Sequence, residues 1–152
     1  MAEIADTEEA LCQRLQDAFG VERNDWKVLM EELIPKLRDA GELTEAQVLM
    51  LSHRHKLIDT VAKYRNKLAA MKASDTVYKR IQYGRHKESE MRRPTERELN
   101  EYVSADMAYK TRKAAILSAQ IDFLEQTVET LDKMGFAIRN RIEIENIQSG
   151  RL

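Results

Sequence analysis

After Ala114 the apolar residues Leu117, Ile121, Leu124, Val128 and Leu131 follow one another in steps of 3, 4, 3, 4 and 3. That spacing lays one stripe along an α-helix and is useless to a strand, whose faces repeat every two residues. The helix has a strong entry signal, because Thr95 and Glu98 form a capping box with Pro94 just before it. Its natural exit is Gly135 as a left-handed closing residue, with Phe136 placed to touch Leu131. Residues 96–134 then make a helix about 58 Å long at 1.5 Å per residue. Nothing within a single small domain needs one that long.

Such a helix needs a partner, and the chain offers one upstream. Met50, Leu57, Val61, Tyr64, Leu68, Met71 and Tyr78 form a second stripe, interrupted by the polar Asp75, on a helix that Thr44 and Gln47 open as another capping box. Residues 83–95 (YGRHKESEMRRPT) have no periodicity and contain Gly84 and Pro94, so they read as the loop joining the two helices. In front, residues 6–19 predict a short helix capped by Asp6 or Thr7, with Leu11, Leu15 and Phe19 on one face and Gly20 at its end. Another starts near Asn24 and carries Trp26, Met30, Leu33 and Leu37, with a bend at Pro35 and a stop at Gly41. At the back, Ile138, Ile142, Ile144 and Ile147 among Arg139, Arg141, Glu143 and Glu145 favour a short helix over a strand.

The expected fold is all-α: a long antiparallel helical hairpin with short N- and C-terminal helices. Scarce Gly (5) and Pro (2) agree with long helices and few tight turns. The expected organisation is an acidic N-terminal helical segment at 1–43, a long helix with a basic loop at 44–97, and a long helix with a C-terminal oligomerisation segment at 98–152. Two long helices leave apolar edges uncovered, so the 114–131 seam is also a candidate for contacts with other copies of the chain.

The formal charge of −1 conceals a segregated chain. Residues 1–50 hold 5 basic and 12 acidic groups, residues 51–97 hold 13 and 5, and residues 98–152 hold 7 and 9. Arg65, Lys67, Lys72, Lys79, Arg80, Arg85, Lys87, Arg92 and Arg93 are interleaved with Tyr64, Tyr78 and Tyr83. Cations along a path suit a phosphate backbone, and flat side chains among them suit stacked bases. Repetition around an oligomer would let weak sites act together.

Other chemistries find little support. There is no Gly-rich phosphate loop, and the carboxylates fall on polar helix faces, so an enzyme is not expected. His53 and His55 lie about 200° apart on a helix and cannot share a metal, which makes both expected surface residues. No metal or cofactor is expected. Cys12 reads as a small core residue, and Trp26 as packing. A lone cysteine, an acidic start and no long apolar run point to a cytoplasmic protein.

The stretch AQIDFLEQTVETLDKMGFAIRNRIEIENIQSG resembles the end of the UvsY-like recombination mediators of T-even-type phages. In that family a DFL-type helix core leads into a Gly-Phe-x-Ile-Lys/Arg signature and then a short helix. The matching positions are Asp122, Phe123, Leu124, Gly135, Phe136, Ile138, Arg139, Ile142 and Gly150, with Met134 where a basic residue commonly stands. Tyr78, Lys79, Arg80, Tyr83 and Gly84 resemble the family's basic, tyrosine-rich segment, and the likeness covers about residues 55–150.

The resemblance implies a ring-forming, non-enzymatic helical protein that binds single-stranded DNA. It implies loading of a RecA-like recombinase onto strands coated by single-strand DNA-binding protein. DNA would then be carried by Arg65, Lys67, Lys72, Tyr78, Lys79, Arg80, Tyr83, Arg85, Lys87, Arg92 and Arg93. Assembly would be carried by Leu117, Ile121, Leu124, Val128, Leu131, Phe136, Ile138 and Ile142. The leader segment DWKVLMEELIPKLRDAGELTEAQVLML instead looks like the front of phage small terminase subunits, which makes a helical DNA-packaging adaptor the alternative. A third reading is an interaction scaffold whose basic middle binds the acidic leader of a neighbouring copy.

Overall fold

The computed structural model describes residues 2–89 and 93–150, with side chains from residue 7 onward. Every regular element among them is helical: α1 (Ala2–Arg38), a 3-10 turn (Ala40–Glu42), α2 (Leu43–Glu88) and α3 (Glu96–Gln148). The chain divides into two compact units, one of Met1–Ala18 and Tyr64–Gln120, the other of Phe19–Lys63 and Ile121–Leu152. Each unit therefore takes one stretch from each of the three helices.

Several expected boundaries are corrected. The front is one helix of 37 residues, not two short ones, and it runs through both Gly20 and Pro35. Asp6 and Thr7 consequently lie inside it and do not begin it. Pro35 is tolerated because it falls in the last turn, where the carbonyl it strips of a partner belongs to exposed Glu31 and can turn to water. The second helix is entered through the 3-10 turn, whose Gly41 N–H donates to Asp39 Oδ1 at 2.9 Å, so α2 has begun by Leu43, ahead of Thr44.

The loop expected at 83–95 is shorter, since α2 stays helical to Glu88 and Tyr83 and Gly84 lie within it. The third helix does open on the expected box: Thr95 N–H donates to Glu98 Oε2 at 2.7 Å, and Glu98 N–H to Thr95 Oγ1 at 3.3 Å. It does not stop at Gly135. It continues for 53 residues to Gln148, so the C-terminal segment is helical as expected but not a separate helix. The left-handed glycine that closes it is Gly150, at φ 64°.

In the second unit α2 and α3 are antiparallel, with Arg54 on Asp132 at 2.7 Å and Met50 Cε beside Gly135. There α1 runs parallel to α3: Arg23 lies over the Phe123 ring, and Arg141 donates to the Leu37 and Arg38 carbonyls at 2.6 and 2.9 Å. Those two bonds satisfy acceptors that any helix end leaves bare, with a cation suited to the negative end of the dipole. Phe19, Leu33, Leu43, Ala46, Met50, Leu57, Val61, Ile121, Leu124, Leu131 and Ile138 are buried in this unit.

The first unit is more polar inside. Its buried residues include Cys12, as expected, and Leu99, Val103, Ile116 and Leu117, but also Gln82 and Gln120. From α2 it receives Tyr64, Leu68, Met71 and Tyr78, all only half-buried. The interruption of that stripe has a structural reason: Asp75 meets Lys110 Nζ from α3 at 3.5 Å, and the same ammonium sits 4.7 Å from the Tyr78 ring centre.

Candidate nucleic-acid interface

Continuity of α2 through Tyr83 and Lys87 decides how the basic middle is displayed. At about 100° per residue, Arg65, Lys72, Lys79, Arg80, Tyr83 and Lys87 fall between about 60° and 160° to one side of the half-buried stripe. Lys67 and Arg85 fall about 60° to the other side, where Val77 and Ile81 are also exposed. All eight of those charged or aromatic residues are exposed, Tyr83 at 38%. Tyr78 is half-buried beneath Lys110, Arg93 is exposed in the loop, and Arg92 lies outside the described residues. The eleven expected DNA contacts thus do not form one cluster.

Among the described residues of the first unit, two grooves are lined by both α2 and α3. One, of about 820 Å³, is lined by Tyr78, Gln82, Arg85, His86, Glu88 and Asp106. Here His86 Nε2 is 2.6 Å from Asp106 Oδ2, and its ring stacks on Tyr102 at 5.4 Å between centres. Two carboxylates in that lining work against a phosphate. The other groove, of about 670 Å³, is lined by Lys79, Asn100, Ser104, Thr111 and Arg112, with Val103 and Met107 among its apolar residues. Among the described residues, no carboxylate is part of its lining. Cations, hydroxyls and an amide beside an apolar surface are what a sugar-phosphate chain with its bases can use.

Arg112 was not among the expected contacts. The signal was present as Lys110, Arg112 and Lys113, but it was averaged away in a C-terminal third with more acids than bases. Arg112 Nη1 donates to Glu9 Oε2 of α1, and this hydrogen bond raises the guanidinium pKa above its ordinary value. His55 is exposed beside Asp59, as expected of a surface residue. His53 departs from that expectation, being half-buried edge-on to Trp26 at 5.9 Å between ring centres. Among the described residues no group of three His, Cys, Asp or Glu could hold a metal, and no helix is long and apolar enough to cross a membrane.

The expected assembly residues are mostly occupied within the chain. Leu117, Ile121, Leu124, Leu131 and Ile138 are buried, Val128 and Ile142 are half-buried, and Phe136 is 60% exposed with Arg139 over its ring. Phe136 does not close on Leu131 as a helix-end contact, because the helix does not end there.

A family model described as "Recombination, repair and ssDNA binding protein UvsY" matches residues 39–151. Searches of curated proteins and of solved structures returned no match. The matched range begins one residue after α1 ends, so the whole of that helix stands outside it.

Proposed function

We propose, from the premise that this chain belongs to the UvsY family of recombination, repair and single-stranded-DNA-binding proteins, that it binds single strands without reading sequence along the α2 flank that ends in the Lys79 groove. The observation that carries the proposal is the gathering of Arg65, Lys72, Lys79, Arg80, Tyr83 and Lys87 on one flank of one helix, leading to a groove that no carboxylate lines among the described residues. Cations take the phosphates, and Tyr83 gives a base a face to stack on. Acting as a homo-oligomer, a ring in the family's manner, the chain multiplies weak sites and holds a strand so that a RecA-like recombinase replaces single-strand DNA-binding protein on it. The exposed Phe136 belongs to the surface that joins copies.

Affinity for single strands should fall with salt. If about six phosphates are neutralised, the log-log slope should be about −4. Replacing Lys72, Lys79 and Arg80 together by Ala should weaken binding and flatten the slope by about 2 units, at roughly 0.7 per phosphate. Replacing Lys67 and Arg85 should do less than their charge predicts. Binding indifferent to salt, or equal losses per charge from the two flanks, would remove this mechanism.

A further inference from the structure

The Lys79 groove has its second cation already engaged. Arg112 pairs with Glu9, which comes from α1, the helix outside the family match. Both side chains still reach water, Arg112 at 42% and Glu9 at 60% exposure. A pair in such a position is weakly held and screened by salt, so another anion can take the guanidinium. A phosphodiester suits the task, because a guanidinium fork grips phosphate as it grips carboxylate, and a strand brings several phosphates at once. Two cations, Lys79 from α2 and Arg112 from α3, then face one phosphate path.

We infer that Arg112 is a phosphate-binding residue of this groove and that Glu9 is an intramolecular stand-in for the phosphate, displaced when single-stranded DNA enters. The inference rests on reading the groove as the DNA site. It gives the acidic leader a function: α1 holds an anion against the groove and sets a threshold that a single charged ligand does not pass but a polyanion does. Arg112 is thereby kept ordered for a ligand instead of wandering in solvent.

The test is affinity for a fluorescent oligothymidylate at low salt, measured for the full chain, with helicity checked by circular dichroism. Glu9→Gln should tighten binding by about 3- to 5-fold, the range set by a weak exposed ion pair. Asp17→Asn, which removes the same charge from the same helix, should change it less than about 2-fold on the same scale. Arg112→Ala should weaken binding, and Glu9→Gln added to it should have no further effect. If the wild type binds and Glu9→Gln matches either the wild type or Asp17→Asn, the stand-in is overturned while the single-strand reading survives. If neither the wild type nor Glu9→Gln binds, both are overturned.

Discussion

His53 sits where α1 and α2 meet in the second unit, edge-on to Trp26, with Nδ1 buried and without a hydrogen-bond partner among the described residues. Burial lowers its pKa from 6.5, Lys56 adds to the shift, and Glu32 opposes it. The unfolded chain therefore binds this proton at a higher pH than the folded one does. The stability it contributes is fully present above pH 6.5 and is lost as pH falls from there toward the lowered folded value. Urea unfolding at about pH 7.5 and about pH 5.5 should show a larger loss for the wild type than for His53→Gln; equal losses would place the titration elsewhere. The sequence does not reveal this role, because Trp26 is on another helix. The Thr95–Glu98 box is the opposite case, legible because both partners lie within one turn.

Gly135 separates a sequence reading from a structural one at the scale of elements. Local grammar makes it a stop, since glycine followed by Phe is how many helices end. In the structure it is helical, and a Cβ built on it would meet Met50 Cε at 3.8 Å, an ordinary contact. Gly135→Ala should therefore stabilise the protein by about 0.5 to 1 kcal/mol, through restriction of the unfolded chain and added helix propensity. At Gly150, whose φ of 64° disfavours any side chain, Ala should weaken the last turn. A loss of stability for Gly135→Ala in thermal melts would restore the stop. Gly20 and Pro35 teach the same lesson from the other side. Each breaks helix propensity by a local cost, and packing of α1 in both units outweighs it.

Over the whole molecule, the seam read as a single surface divides by burial. Leu124 is fully buried in the second unit, so Leu124→Ala should cost about 2 to 5 kcal/mol in denaturant unfolding. Phe136 is 60% exposed, so Phe136→Asp should leave that stability nearly unchanged and, through the proposed assembly surface, reduce the particle mass in light scattering. A mass unaffected by Phe136→Asp would take this residue out of the assembly surface. By itself the sequence determined the helical class, the two long stripes, the entry to α3 and the cationic middle, because each is written in spacings of three and four or in the local count of charges. Only long-range packing decided where helices continue through glycine and proline, how far α2 runs into the basic segment, and that Arg112 is held by Glu9 from far along the chain. Those outcomes turn on contacts between residues distant in sequence, whose combined burial and pairing outweigh the propensities that a local reading weighs.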